Sequence, residues 1–262
     1  MPHESPEERP GIAQYFGRLA ETYGTGAYYG KRRVAVIAAL RAKFRGSPRL
    51  LDLGCGNGAN LFELRDAINC TLLAGADLSR QMLGEAYRRQ KTGRWVPLIC
   101  ADAMALPFRA GAWDVVFCSH LLQMVTDLDA CLRGIDACLR PGGSLVVAGS
   151  EDDPGRRVLD LLTDEQRELL GAGRRGGGGV RIRFPELIWQ TYEAAGFEVK
   201  RRHLLFTITG AQLIEWYRIR CVPVLEDSTR AQAQQVLDQV LAVHGAETFK
   251  ANETLVFARK HP

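Results

Sequence analysis

Apolar positions along the chain fall into two rhythms. Compact runs at Arg49-Leu-Leu-Asp-Leu53, Leu72-Leu-Ala-Gly-Ala-Asp77, Trp95-Val-Pro-Leu-Ile-Cys100, Trp113-Asp-Val-Val-Phe-Cys118 and Ser144-Leu-Val-Val-Ala-Gly149 predict strands. Between them, apolar residues three and four apart predict helices. Leu61, Leu64 and Ile68 mark the first, behind Gly54, Gly56 and Gly58. Met82, Leu83, Ala86 and Tyr87 mark the second, with Ser79 as its N-cap. Leu128, Cys131, Leu132, Ile135 and Leu139 mark a third, which runs into the turn Arg140-Pro-Gly-Gly143.

The flanks are organised differently. Residues 1–11 are polar and proline-rich, a flexible arm, and residues 12–40 place two helical stretches around the aromatic segment Thr22-Tyr-Gly-Thr-Gly-Ala-Tyr-Tyr-Gly30. A core at 41–150 follows. Residues 151–206 open with helical Val158 to Leu162 and Glu165 to Leu170, then cross Gly171-Ala-Gly-Arg-Arg-Gly-Gly-Gly-Gly179, where no helix can persist. They close with a helix begun at Pro185 and stopped at Gly196, and a strand from Phe197 to Phe206. Residues 207–250 are too long for a hairpin and carry apolar helical faces at Leu213, Ile214, Trp216, Tyr217, Val236, Leu237, Val240 and Leu241. That insertion is expected to be a substrate cap, with a dimer surface or packing layer as the alternative. Residues 251–262 supply a last strand and tail.

Strand, glycine turn, helix is a geometry in which bare main chain can touch a nucleotide-like ligand, because glycine permits positive φ and lacks a Cβ. Asp77 ends the second strand about 20 residues past the last glycine, where an acid can accept both hydroxyls of a ribose. With Ser79 serving as the cap, Asp77 is left for a ligand. Asp102 closes the third strand ahead of Ala103 and Met104, whose small and apolar character suits the edge and face of an adenine. The turn reads G-x-G-x-G, not the dinucleotide G-x-G-x-x-G, and holds neither arginine nor lysine. Adenosine without phosphate therefore fits better than a dinucleotide.

Composition narrows the classes without choosing among them. In 262 residues, 46% hydrophobic and 24% charged, a full α/β core can be buried, and disorder is disfavoured. A net charge of +4 with no concentrated basic stripe argues against a nucleic-acid partner. The seven cysteines show no metal spacing and read as reduced and buried. Without a signal peptide or a bilayer-length apolar run, the expected location is cytoplasmic with no membrane partner.

Asp52-Leu-Gly-Cys-Gly-Asn-Gly58, Asp77-Leu-Ser79, Ala101-Asp102-Ala103 and Trp113-Asp-Val-Val-Phe-Cys118, in that order and spacing, resemble class I S-adenosylmethionine-dependent methyltransferases of the small-molecule group. The resemblance implies an α/β, Rossmann-like fold: a seven-stranded, mostly parallel sheet with an antiparallel last strand at Glu253 to Lys260, helices on both faces, and helical N-terminal and cap segments. It implies S-adenosyl-L-methionine as cofactor, held by Asp52, Gly54, Cys55, Gly56 and Asn57 in the first turn. Asp77, Leu78 and Met82 would contribute after the second strand, Asp102, Ala103 and Met104 after the third, and Cys118 and Ser119 at the end of the fourth. The N-terminal helical region would cover the cofactor. Tyr28, Tyr29, His120, Gln123, Trp216 and Tyr217 are the residues expected beside a small-molecule acceptor, with amphipathic packing the alternative for each N-terminal tyrosine.

A sulfonium makes its own methyl group electrophilic, so the protein must mainly align an acceptor and exclude water. Where the acceptor carries a proton, a base helps. His120, just after the fourth strand, and Tyr23 are the catalytic candidates; a histidine satisfied by backbone carbonyls is the alternative for His120. His203 in a strand and His244 at a helix end suit structural roles. Cys118-Ser-His-Leu121 is not the Asn/Asp-Pro-Pro-Tyr/Phe of amino-nitrogen methylation of nucleobases, and no acidic trio suggests magnesium, so no metal is expected. The expected reaction is in-line methyl transfer to a natural-product or quinone-like metabolite, by a monomer or homodimer. Arg174, Arg175, Arg181 and Arg183 leave an acidic acceptor open; a nicotinamide-dependent oxidoreductase is the rival from another class.

Overall fold

The five apolar runs become the strands β1 (Arg49–Leu53), β2 (Leu72–Asp77), β3 (Leu98–Cys100), β4 (Trp113–Ser119) and β5 (Leu139–Gly149) of a computed structural model. It describes residues 10–90, 94–150, 154–169, 185–225 and 227–261. Two late strands, β6 (Glu198–Thr209) and β7 (Thr248–Arg259), complete a sheet of order β3-β2-β1-β4-β5-β7-β6. β7 alone runs against its neighbours. The order reverses between β1 and β4, the switch point outside whose carboxyl ends open α/β sheets place their ligands.

Two strands depart from the sequence pattern. β3 is only three residues long, because Pro97 has no N–H for the ladder; its carbonyl instead accepts from Gly75 at 2.9 Å. β5 starts at Leu139, so the expected turn at Arg140 to Gly143 is an irregular strand entry with Gly142 at a φ of 70°.

Helices cover both faces. α1 (Pro10–Arg18) and α2 (Ala27–Lys43) precede β1, and α3 (Ala59–Ala67), α4 (Arg80–Arg89) and α5 (Leu128–Cys138) connect the parallel strands. Tyr28 and Tyr29 thus lie in the first turn of α2, not in the segment before it. Alternation sorts the core: Leu51, Leu53, Val116, Leu145 and Val256 meet α5 on one face. Leu50, Val115, Phe117, Val146 and Leu255 meet α2 and α3 on the other. Each such fully buried leucine or valine contributes about 1.5–3 kcal/mol through loss of water contact.

A third apolar cluster joins Ile208 of β6 and Ala251 of β7 to the helices beside them. After α6 (Pro154–Asp160), α7 (Asp164–Leu169) and α8 (Pro185–Ala194), the chain enters β6, and the β6–β7 connection folds as α9 (Gly210–Arg220) and α10 (Asp227–His244). Both strands reach further into the 207–250 segment than its sequence boundaries. Leu213, Ile214, Leu237 and Val240 of this pair pack with Tyr28 of α2 and Val158 of α6. Thr209 caps α9, with Gln212 reciprocating. Gly210 has no room for a side chain, since a Cβ would stand 2.0 Å from the His244 carbonyl oxygen.

Candidate active site

The carboxyl ends of β1, β2, β3 and β4 open into one cavity, roofed by α1, the segment around Tyr23 and the start of α2. Glycine shapes its floor. Gly54 and Gly56 have φ of 77° and 54°, and a Cβ at Gly56 would find only the Met82 sulfur, 3.8 Å away. A side chain there would fill the space that bare backbone leaves open.

Most of the expected residues line this cavity. From the first turn come Gly54, Cys55, Gly56 and Asn57; from the β2 end Asp77, Leu78 and Met82; from the β3 end Asp102, Ala103 and Met104. Ser119 and His120 close the β4 side, and Tyr23 and Tyr29 face them from the N-terminal segment. The others stand elsewhere. Asp52 is buried behind the turn, and Cys118 points into the apolar layer under α5. Strand alternation, which sends neighbours to opposite faces, is the reason Ser119 reaches the cavity and Cys118 does not. Tyr28, Trp216 and Tyr217 pack in the third cluster, with the Tyr28 and Trp216 rings 6.1 Å apart. Gln123 lines a smaller recess beside His120, Leu121 and Trp189. Arg174, Arg175, Arg181 and Arg183 lie outside the described residues.

Local bonds hold the walls. Asp77 is not idle as the sequence suggests: Oδ2 accepts the Gly56 N–H and Oδ1 the Ser79 N–H, both at 2.8 Å. The carboxylate has more acceptor sites than these bonds use, which leaves capacity for a ligand. Burial raises the Asp77 carboxyl, and the N–H donors of Ser79, Gly56 and Leu78 oppose that. Asn57 donates to the carbonyls of Ala20 and Tyr23, both at 2.7 Å, and so ties the turn to the roof. Asp102 Oδ1 accepts from the Met104 N–H at 2.9 Å. Burial pushes the Cys55 thiol well up, away from a reactive thiolate.

His120 is the one non-glycine among the described residues with positive φ, 55°. Its N–H donates to the Ala148 carbonyl at 2.9 Å, fixing it to the end of β5. Its ring partner is a carboxylate, not a backbone carbonyl: Nε2 lies 2.8 Å from Glu253 Oε1. Glu253 is fully buried, and Oε2 has no hydrogen-bond partner among the described residues. Burial would raise its carboxyl, but the neighbouring His120 and the charge of Arg32 outweigh that and hold it below the usual carboxylate range. Arg32, on the cavity wall, lies with its guanidinium 5.1 Å from the centre of the Tyr29 ring. Arg33 beside it bonds Glu63 at 2.5 Å and the Gly24 carbonyl at 2.9 Å.

The sequence reading missed Arg32, Arg33, Phe16 and Glu253. The arginines had a signal, since they follow Tyr29 by three and four residues, one helical turn. Glu253 had a fainter one, an acid two residues before the buried Leu255 and therefore on the same face of an apolar strand.

Residues 51–147 match the family model described as "Methyltransferase domain". A demethylmenaquinone methyltransferase of Thermus thermophilus is 31% identical over 212 residues, spanning 76% of this chain and 95% of the relative. The chain belongs to the class I S-adenosylmethionine-dependent methyltransferases. Within them it falls in the small-molecule group. The 27-O-demethylrifamycin SV methyltransferase of Amycolatopsis mediterranei is 34% identical over 141 residues, 52% of this chain and about half (50%) of the relative. Among solved structures, the magnesium protoporphyrin IX methyltransferase of Synechocystis superposes with a TM-score of 0.58 at 17% identity, over 95% of this chain and 98% of that one. The [4+2]-cyclase SpnF superposes with the same score at 22% identity, over 88% and 81%. These two likenesses show the fold, the seven-stranded sheet expected from the sequence.

Membership makes the methyltransferase an enzyme that uses S-adenosylmethionine, and it displaces the nicotinamide oxidoreductase reading. The cavity fits that cofactor on its own terms. Bare backbone at Gly56 admits close approach, and the acids on the β2 and β3 ends offer acceptors without a cationic phosphate cradle between them. No helix among the described residues is long and apolar enough to cross a membrane, and none of their His, Cys, Asp and Glu side chains gather in threes to hold a metal.

Proposed function

We propose that this methyltransferase methylates a quinone-like or natural-product metabolite that carries a dissociable proton, with His120 as the base. The observation that carries this is His120 itself, at the cavity wall in a strained left-handed backbone and bonded to a buried carboxylate. The names of the relatives, a demethylmenaquinone and a demethylrifamycin methyltransferase, support the acceptor class.

S-Adenosylmethionine supplies an electrophilic methyl group whose C–S electron pair leaves with the sulfur, so the protein's work is placement and proton handling. Asp77 would accept the ribose hydroxyls, and Asp102, Ala103 and Met104 would flank the adenine. Gly54 to Gly56 would face the remainder of the cofactor with bare backbone. Tyr23, Tyr29 and Phe16 would exclude water above it, and Tyr23 would orient the acceptor. His120 would take the acceptor's proton.

The same reading has the protein act in the cytoplasm as a monomer or homodimer, without nucleic acid. Free cysteines throughout the described chain, with the thiols of Cys55, Cys118, Cys131 and Cys138 raised by burial, suit a reducing compartment. The test is an intact-mass screen of phenols, hydroquinones and enols with isotopically labelled cofactor. Gain of one methyl on such compounds is expected; gain only on nucleic acid or protein would overturn the proposal.

A further inference from the structure

β7 runs antiparallel to β5, so its N-terminal half lies at the end where the parallel strands finish and the cavity opens. Leu255 pairs with Ala148 of β5, and Glu253 lies two residues earlier on the same face. On the other side of β5, the His120 N–H bonds the Ala148 carbonyl. The two side chains therefore meet over the end of β5, Nε2 to Oε1 at 2.8 Å, with Glu253 wholly buried and His120 partly open to the cavity.

We infer that Glu253 is a positioning residue for His120: it fixes the imidazole with its proton on Nε2, leaving Nδ1 to accept a proton, and so selects acceptors with a dissociable O–H. The inference rests on the reading of His120 as the base. An ionised carboxylate only accepts hydrogen bonds, so a bond of this length to Nε2 requires the hydrogen on that nitrogen. The side-chain bond of the ring runs through Nε2, and His120 lines the cavity. A buried carboxylate persists only when it is paired, and His120 is its hydrogen-bond partner. The charge of Arg32 on α2 helps hold Glu253 ionised, and the Arg32 guanidinium lies 5.1 Å from the centre of the Tyr29 ring.

During transfer the acceptor's O–H breaks and its proton passes to Nδ1. The oxygen keeps the electron pair and forms the new O–C bond as the C–S pair departs with sulfur. Glu253 stays ionised and offsets the imidazolium charge, as a buried acid does behind a catalytic histidine.

The test follows the ring nitrogens by long-range proton–nitrogen correlation spectra of histidine-labelled protein saturated with S-adenosylhomocysteine, at a pH where imidazole is neutral. His120 is assigned by its loss in His120→Ala. Wild type should carry the proton on Nε2. Glu253→Gln, whose amide can donate or accept, should show a tautomer mixture with S-adenosylhomocysteine affinity unchanged. On the acceptor from the methyl-gain screen its turnover should fall about tenfold or more, part of the 10²–10⁴ that a placed base supplies. A proton on Nδ1 in wild type, or the wild-type tautomer in Glu253→Gln, overturns the inference while leaving His120 as a base. Full turnover in His120→Ala overturns the base reading and the acceptor class with it. Should Glu253→Gln fail to fold, Glu253→Asp, one methylene too short to reach Nε2, is expected to give the same loosening, and a fixed tautomer there counts against the proposal.

Discussion

Asp77 Oδ2 accepts the backbone N–H of Gly56 at 2.8 Å, so the acid ending β2 holds the glycine turn ending β1 before any ligand arrives. Asp77→Ala removes that anchor, the Ser79 anchor and the proposed ribose acceptor together. A hydrogen bond to a charged group contributes about 1.5–3 kcal/mol, so the S-adenosylhomocysteine Kd should rise roughly 10–100-fold. Asp77→Asn retains one accepting oxygen and should lose less. Calorimetry that finds unchanged affinity in Asp77→Ala would refute the ribose contact.

Arg220 ends α9 with its guanidinium 4.7 Å from the Tyr15 ring centre, 5.0 Å from Phe16 and 5.6 Å from Tyr23, and it donates to the Tyr15 hydroxyl. Phe16 and Tyr23 are cavity walls, so this arginine joins the α9–α10 insertion to the roof. Arg220→Ala should loosen the roof without unfolding the sheet, since cation–π contacts contribute about 0.5–2 kcal/mol each. The expected readout is faster proteolysis and hydrogen exchange at residues 10–26, with the thermal midpoint little changed. Protection there equal to wild type would show that the roof holds without Arg220.

How much of this was legible depends on whether a residue's role is local. Gly54, Gly56, Asp77 and Asp102 were readable because their place follows from short strand–turn units whose order is visible along the chain. Ser79 as an N-cap was readable for the same reason, and it accepts from the Met82 N–H as expected. Trp216 and Tyr217 were misplaced because an aromatic on an amphipathic helix looks alike whether it faces a cavity or the third cluster. Glu253 was missed because its partner lies 133 residues away, and only the antiparallel insertion of β7 beside β5 brings the two together. The roof tie through Asn57 had the same obstacle, a side chain bonded to carbonyls 37 and 34 residues upstream.

Asp52 sits behind the turn with neither carboxyl oxygen hydrogen-bonded within the described residues. Burial, and then the nearby charge of Asp77, push its carboxyl up to about 8. Unfolded, the group titrates near pH 4. Between those values the folded chain keeps a proton that the unfolded chain has released, so stability falls as pH rises from about 4 to about 8. Asp52→Asn removes this penalty. The thermal midpoint of the unliganded variant should exceed wild type, and the gap should widen between pH 5 and pH 8. A gap that is constant or shrinks over that range would contradict a buried, proton-retaining Asp52.

Asp114 works at the opposite end of the strands, where they begin. Oδ2 accepts the Arg49 N–H at 2.7 Å, Oδ1 lies 3.1 Å from Arg49 Nη2, and Arg140 Nε also donates to Oδ1. These contacts tie the start of β1 to β4 and β5. Burial tends to raise this carboxyl, but the bonds from Arg49 and Arg140 prevail and bring it to about 2. The sign is therefore opposite to that of Asp52: the stabilisation is complete above the unfolded value near pH 4 and is lost as pH falls through about 2. Half-exposed Arg140 lets solvent screen the pair, which leaves about 1 kcal/mol at neutral pH. Asp114→Asn should lower denaturant stability by about that amount at pH 7 and by almost nothing near pH 2, and S-adenosylhomocysteine affinity should not move, because the cavity lies at the other end of the strands. A stability difference as large at low pH as at pH 7 would place the effect in packing and not in charge.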